Sequence, residues 1–530
     1  MSFYGIFADL KTKNLYTVMK KIILLVYSVF LSFHLYAQEG VIDVSITKSD
    51  VFKERKESYI NTIIKDKSGK LYVVRSLESG KSLLLNVFDE NFKLLQSYEH
   101  KLKRRHRVTG TFLDGEHFGF IEYFRNKKEK KVEANLYLSS KEKLEFTKMK
   151  IFEIDSDSYP SFFKSLFSSS RIDDNFRGNF SSSDSNSHFV FNIDSDSKKN
   201  ESHKILVFNN QFEKLWDKEF ELPYQDKRFD LQDVIVSDDG IVYVLGKVFP
   251  KNGGGNYHYE LFKLTKDNTT SVKLEIGDHF LASLELFITP EDRLNCIGFY
   301  SEVSDFRFKG VCSFFVNSTT LEKEGVNYSP FTEQFMIDKY GKSKDRELGN
   351  IHFKNISYSD DGGTIVTAEE FFITTSFVQN QYGGFQRTFY NFDDIITLKL
   401  DIDGKLLWAR NINKAQTSEN YSDPLMSFGT AQYMNNEYLI LNAHKKMGEL
   451  SGGRIKFRES FLWKASKRNT NLYLVKLKPD GEYTYSTLLK NKDEVTVFNC
   501  RYAEQVSDNE LILYGQRRRK SQFLKITINK

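Results

Sequence analysis

Cysteine, proline and tryptophan are scarce in this chain of 530 residues, which holds 3 Cys, 7 Pro and 3 Trp. Cys296, Cys312 and Cys500 are too few for a disulfide framework, so the fold must rest on packing and hydrogen bonds. No apolar run is long and uninterrupted enough for a spanning helix after the amino-terminal region, and no long helical period competes with the strand signal. Catalytic signatures are missing too. The chain has no Gly-x-Ser-x-Gly elbow, no His-Glu-x-x-His and no glycine-rich phosphate loop. The 10 His are scattered, and each reads as a loop or core residue rather than a ligand or base. These absences leave no catalytic residues, no metal and no cofactor to expect.

What is present is strand-forming: 15% aromatic and 40% hydrophobic residues, in short runs broken by polar turns. The pattern recurs eight times. The first half of each unit is a turn followed by an apolar strand: Asp66-Lys67-Ser68-Gly69 before Leu71 to Val74, Asp114-Gly115 before Phe118, Asp184-Ser185-Asn186 before Phe189, and Asp238-Asp239-Gly240 before Ile241. The series continues with Glu291-Asp292, Asp360 to Gly363, Asn435-Asn436 and Asp508-Asn509. Such residues tolerate positive φ or close Asx turns and suit hairpin tips. The second half is clearest at Leu398 to Trp408, around Asp401-Ile402-Asp403-Gly404. Ungapped relatives run over Val475 to Tyr485, Leu206 to Trp216, Asn86 to Gln96 and Phe262 to Val272, with weaker copies at Leu136 to Phe146 and Phe314 to Glu324.

The eighth copy, Leu524 to Lys530, stops where its turn should begin, which would leave an open edge. Gly40 to Lys48 is a short alternating stretch able to supply the missing strand. The reading is an all-β, eight-bladed β-propeller of four-stranded blades, closed by the N-terminal strand in the last blade. A seven-bladed ring is the alternative, because the second and fifth copies are faint. One domain then spans 38–530.

Residues 1–37 read as an N-terminal extension plus a signal peptide. Met19-Lys20-Lys21, the apolar stretch Ile22 to Phe33 and Ala37 form its charged, apolar and cleavage regions, and Met19 reads as the true start. The expected location is periplasmic or secreted, with no transmembrane helix in the mature protein and no nucleic-acid partner. Cys296 and Cys312 fall on neighbouring strands of one blade. They read as small buried hydrophobes, with a bridge between them as the other reading.

With strands A to D in each blade, A–B and C–D turns lie on one face, and B–C loops and D–A links on the other. The long excursions, 155–180, 325–350, 374–391, 411–427 and 443–470, all belong to the second face, the usual place for a binding surface. Cations concentrate there. The 443–470 excursion carries Arg454, Lys456 and Arg458 with Phe457, Phe461 and Trp463 interleaved; Arg517, Arg518 and Arg519 follow in the next blade; and Lys103, Arg104 and Arg105 join blades 1 and 2. These residues are the candidate ligand-binding set for an anionic envelope component or an unknown protein. The competing reading is solvated loop charge, given a formal net charge of +5.

Acidic pairs at Asp155/Asp157, Asp173/Asp174, Asp194/Asp196 and Asp401/Asp403 offer calcium ligation against a plainer role, Asp capping its own turn. Phe162 to Phe167 and Phe331 to Ile337 read as short helical plugs on the ring.

The Asp401 to Trp408 unit resembles the repeat of quinoprotein-type propellers and that of the eight-bladed periplasmic scaffold of outer-membrane protein assembly. Only Trp216 and Trp408 hold the quinoprotein Trp, so no quinone is implied. A likeness over 325–530, carried by Asp361-Gly362-Gly363, Ala368-Glu369-Glu370, the Asp403 to Trp408 turn with Gln416, and Pro479-Asp480-Gly481, is similar to secreted proteins of the Bacteroidota. It implies export and fold and carries no activity. The functional expectation is a binding or scaffold protein; the alternative is a propeller hydrolase acting on envelope or extracellular glycans.

Overall fold

A computed structural model describes residues 38–53, 58–77, 81–103, 106–113, 117–126, 128–155, 180–195, 200–225, 228–251, 257–275, 279–289, 293–302, 307–343, 348–380, 383–458 and 467–530. The described chain is almost wholly antiparallel β-structure. Seven successive sheets of four core strands occupy 58–101, 107–155, 180–221, 229–274, 280–330, 351–412 and 428–490, and an eighth is built from 497–528. The second strand of each is apolar at consecutive positions because it is covered on both faces. Leu71–Leu77, for example, has six buried residues of seven.

Each sheet shares an apolar cluster with the next. Tyr72 and Val74 of sheet 1 meet Phe118 and Phe120 of sheet 2, sheet 2 packs on sheet 3 through Ile121 and Phe191, and the series runs on through sheets 3 to 8. The cycle returns on itself: Ile512, Tyr514 and Phe523 of sheet 8 pack with Ile63, Val73 and Phe88 of sheet 1. Phe523 sits at this last junction, 5.1 Å from Phe88 and stacked 5.6 Å from Phe92. Burying such a ring contributes roughly 2–3 kcal/mol.

Sheet 8 has its fourth strand from the other end of the chain. Val44–Lys48 pairs antiparallel with Lys520–Ile528, from Val44 opposite Ile528 to Lys48 opposite Leu524, and Phe52–Lys53 extends the same ladder. Gln38–Glu39 pairs in parallel with the outer strand of sheet 7. The amino-terminal segment therefore crosses two sheets.

The C–D turns lock neighbouring sheets together. Trp408 Nε1 donates to Pro479 O of the next sheet at 2.8 Å, and a Cβ on Gly481 would meet the indole at 2.9 Å. Gln96 Nε2 donates to Glu142 O, Lys218 Nζ to Thr265 O and Lys263 Nζ to Ser318 O. Within the turn, Asp401 Oδ1 accepts from the N–H groups of Asp403 and Lys405. The left-handed position of this turn is Gly404 or Gly481 in sheets 6 and 7 but Phe92, Phe212 and Leu321 in sheets 1, 3 and 5. These three side chains are buried, so core packing offsets a conformation that bulky residues avoid.

The excursions differ from simple loops. Residues 374–391 continue a long ribbon of Thr364–Asn380 against Gly383–Leu400. The 325–350 excursion begins inside the outer strand Lys323–Pro330, then forms helix α1, Glu333–Tyr340, capped by Thr332 and by Gly341 at φ 78°. Phe335 and Met336 plug the junction of sheets 5 and 6, so the plug expected at Phe331 to Ile337 is present. Lys414–Ser418 adds to the ribbon and pairs in parallel with Ile455–Arg458. Residues 162–167 lie outside the described residues. Cys296 and Cys312 are buried and free; their rungs are offset by two residues, with Cys296 opposite Phe314 and Cys312 opposite Gly298.

A protein beginning at residue 49 lacks the closing strand. Its Tm should fall by about 5 °C or more in calorimetry, and a peptide spanning residues 38–48 added in trans should restore it. An unchanged Tm would show that closure does not depend on this ladder.

Candidate anion-binding face

The structure divides the candidate residues into three groups. Arg104, Arg105 and Trp463 lie outside the described residues. Arg454, Lys456 and Arg458 are drawn into the protein. Lys103, Arg517, Arg518 and Arg519 face solvent.

Arg454 is a correction to its reading as a surface ligand. It is 8% exposed, and its guanidinium donates to the carbonyls of Asp338 (2.9 Å), Lys339 (3.0 Å) and Ser451 (3.1 Å), tying the last turn of α1 to the 443–470 excursion. Lys456 lies near Asp393 and Asp394. Burial raises the Asp393 carboxyl and Asp394 raises it further, with Lys414, Lys456 and Lys339 opposing. Arg458 donates to Met447 O.

These residues border a buried polar network that fixes the elaborated loops of sheets 6 and 7. Asp338 of α1 receives Arg410 Nε at 2.6 Å, and Lys339 bonds Glu370 and Asp394 at 2.8 and 2.7 Å. Lys414, fully buried, donates to Glu369 Oε1, Phe392 O and Gln416 Oε1. Gln416 reaches Leu425 O and Asn442 O, and Ser427 Oγ donates to the other Glu369 oxygen. A buried ammonium with three acceptors is compensated, which marks the network as structural.

The solvent-facing cations form a different arrangement. Arg517 and Lys520 are opposed across a tight hairpin in sheet 8, Arg518 and Arg519 form its tip, and Arg518 has φ 56°. On the neighbouring strand Lys53 lies opposite Lys520. Lys53, Lys520 and Arg517 thus stand side by side on three adjacent strands. Partial burial and then the nearby Arg517 guanidinium push Lys467 of sheet 7 down, with Glu494 and Asp493 opposing. Among the described residues, Lys53, Lys103, Arg517, Arg518, Arg519 and Lys520 form no ion pair. Like charges directly opposite each other destabilise a sheet, so this row is held by the packing beneath it, where Phe52 lies against Tyr514 and Phe523. Lys103 belongs to the same end of sheet 1, next to Leu102, whose N–H bonds Lys81 O at 2.9 Å. Lys53 is absent from the candidate set; it sits alone in sequence and joins the row only through cross-strand register.

Acidic chemistry is spread out. Asp401 caps its own turn, as the plainer reading held. Asp157, Asp173, Asp174 and Asp196 lie outside the described residues. Among those described, no group of three or more His, Cys, Asp or Glu residues is placed to hold a metal. Two buried carboxylates were not foreseen. Glu122 of sheet 2 bonds His106 and, at 2.9 Å, His100; burial opposes its ionisation, but the bonds from His100, His106 and Tyr137 hold it below the usual range. Glu437 of sheet 7 accepts from Thr367 and Thr397 of sheet 6. Its burial raises the carboxyl to about 7, against the lowering effect of the two hydroxyls.

The closed succession of docked four-stranded sheets places the chain in the β-propeller class. No family model matches the sequence, and no curated protein does. Among solved structures it is similar to the propeller domain of the Trilobed protease from Pyrococcus furiosus, with 9% identity, 67% of this chain and 93% of that one covered, and a TM-score of 0.33. It is also similar to prolyl oligopeptidase B from Galerina marginata, with 8% identity, 88% and 56% covered, and a TM-score of 0.36. A third is an acylaminoacyl peptidase in complex with a chloromethyl ketone, with 10% identity, 74% and 59% covered, and a TM-score of 0.32. This chain spans little more than half the length of the two peptidases.

Glu437 makes the contact between sheets 6 and 7 sensitive to pH. A carboxyl raised from 4.5 to about 7 contributes stability that is complete below the lower value and lost as pH rises through the upper one, roughly 3 kcal/mol in all. The Tm of the native protein should therefore fall between about pH 4.5 and about pH 7.5, and Glu437→Gln should flatten the profile and be the more stable form at the alkaline end. Parallel profiles would remove Glu437 as the cause.

Proposed function

We propose that this chain is an exported binding scaffold whose eight sheets form the blades of one ring and whose basic face engages an anionic partner of the cell envelope. The observation that carries the reading is the row of Lys53, Lys520 and Arg517 with Arg518 and Arg519 at its tip, exposed and without a carboxylate partner among the described residues. A fold that tolerates five exposed cations around one hairpin retains charge that an anion would neutralise. Export is proposed from the signal-like segment ending at Ala37, in the manner of the secreted Bacteroidota proteins that the 325–530 region resembles, and the location is then periplasmic or extracellular.

Two measurements test the reading. The intact mass of the exported protein should correspond to a chain beginning at Gln38; retention of residues 1–37 would overturn the processing step. On immobilised heparin, used as a generic polyanion, the protein should be retained at physiological salt, and the triple variant Arg517→Glu/Arg518→Glu/Arg519→Glu, with an unchanged circular dichroism spectrum, should not. Equal retention of both proteins would overturn the basic-face reading.

A further inference from the structure

The ribbon of sheet 6 has a composition unlike the rest of the chain. Residues 371–392 include eight aromatic side chains and one charged residue, Arg387, in a protein with 28% charged residues. Arg387 is neutralised by Glu419. Past the last rung shared with its first strand the pairing continues for ten rungs; the first three are also bonded to Lys414–Ser418, and the outer seven, from Thr374 opposite Phe389 to Asn380 opposite Gly383, stand as two strands alone. At about 3.3 Å per residue the free part projects roughly 20 Å.

One face of the ribbon carries Phe371, Ile373, Thr375 and Phe377. At the base, Phe371 and Phe392 pack on Tyr421, Leu425 and Met426. Further out the row is uncovered, with Ile373 55% and Phe377 71% exposed. Phe377 lies over Gly384 of the facing strand, where a Cβ would meet the ring at 2.0 Å, so a small residue is required beneath it. The ribbon and the cationic hairpin are the B–C connections of sheets 6 and 8 and leave the same end of the ring. The ribbon's base also touches sheet 8 directly: Arg501 stacks 3.8 Å over the Tyr421 ring, which itself packs on Phe371.

We infer that the ribbon tip and the cationic hairpin together form a docking surface for an anionic phospholipid bilayer. The inference rests on the basic-face reading above and deepens it. A soluble polyanion would be read by the cations alone and would leave Ile373 and Phe377 exposed to water. A bilayer surface passes from anionic phosphate to apolar chain within several ångströms, so it presents both complements at once. A second copy of the chain is a poor occupant. One face of the free ribbon, about 20 Å by 10 Å, offers roughly 200 Å² against the ~800 Å² per partner of a stable interface, and two cationic hairpins would repel. The ribbon's outer edges carry unpaired peptide groups, so its depth is limited to the headgroup and interfacial layer. Ile373 and Phe377 enter that layer while Arg517, Arg518, Arg519, Lys520 and Lys53 meet phosphates.

The test uses the protein beginning at Gln38, the processed form proposed above, because the apolar segment before it would itself bind lipid. Vesicles of phosphatidylcholine, alone or mixed with phosphatidylglycerol, are sedimented with it at physiological salt. The protein should partition onto the mixed vesicles only, and Ile373→Asp/Phe377→Asp should reduce partitioning about tenfold. The emission of Phe377→Trp should shift to the blue on binding and be quenched by lipids brominated near the carbonyl end of the acyl chain. If the arginine triple variant loses both heparin and vesicle binding while the ribbon variant binds as native and Phe377→Trp shows no shift, the bilayer inference fails and the basic-face reading stands. If the arginine variant changes neither, both fail.

Discussion

One antiparallel ladder, between Val44–Lys48 and the last strand of the chain, decides whether the succession of sheets becomes a ring. Without it the strand Lys520–Ile528 would be an open edge carrying Leu524, Ile526 and Ile528, all buried as the chain stands. The strand is recruited from more than four hundred residues away. Loop-closure entropy grows only logarithmically with length, adding about 0.6 kcal/mol per doubling, so a long-range closure of this kind costs little more than a shorter one. What it gains is shared among three sheets. Ile42 packs in the cluster between sheets 7 and 8, Phe52 packs between sheets 8 and 1, and Gln38–Glu39 lies along the edge of sheet 7. Closure thus completes several junctions at once.

The two ends of the sheets solve different problems. At the C–D turns, side chains such as Trp408, Gln96 and Lys263 reach one sheet onward and bind turn carbonyls, so the turns they reach are both hairpin tips and sockets for the preceding sheet. That double use leaves no room for insertions. At the other end the B–C connections and D–A links carry the ribbon, α1 and the paired segments 414–418 and 455–458. Polar groups buried under these additions need partners that apolar packing cannot supply. The network from Asp338 and Arg410 through Lys414 and Gln416 to Asn442 and Asn491 provides them.

Much of this architecture was legible in the residue order because hairpin tips obey local rules. Asp401-Ile402-Asp403-Gly404 declares a turn through an Asx cap and a glycine at the left-handed position, and the truncated last repeat announced a missing strand. The equivalents Asp89 to Phe92 and Asn209 to Phe212 kept the cap and lost the glycine, since Phe92 and Phe212 meet a tertiary demand: Phe92 stacks on Phe523 of sheet 8 and Phe212 packs on Phe112 of sheet 2. The candidate site was less legible for a related reason. Arg454 and Arg517 look alike as basic residues in excursions, yet one is buried against the carbonyls ending a helix and the other stands at an open hairpin. Composition cannot separate them; burial does. Lys53 and Glu437 owe their roles to register, with Lys53 opposite Lys520 and Glu437 facing two threonines of the preceding sheet, and register across distant strands has no local signature.

The cationic row stands on the ladder that closes the ring. Lys53 lies at the end of the amino-terminal strand pair, while Arg517 and Lys520 belong to the carboxy-terminal hairpin. Their mutual repulsion works against the ladder that closes the ring, and it acts at its outermost rung, where solvent screens it most. An anion bridging Lys53 and Arg517 removes that repulsion and joins the two chain ends across one rung. Any ligand that binds this row in the closed ring and not in the opened one stabilises the closed form by mass action. A cationic hairpin placed on another sheet would bind anions as well, but only on the sheet built from both ends of the chain does neutralising the charge also hold the ring shut.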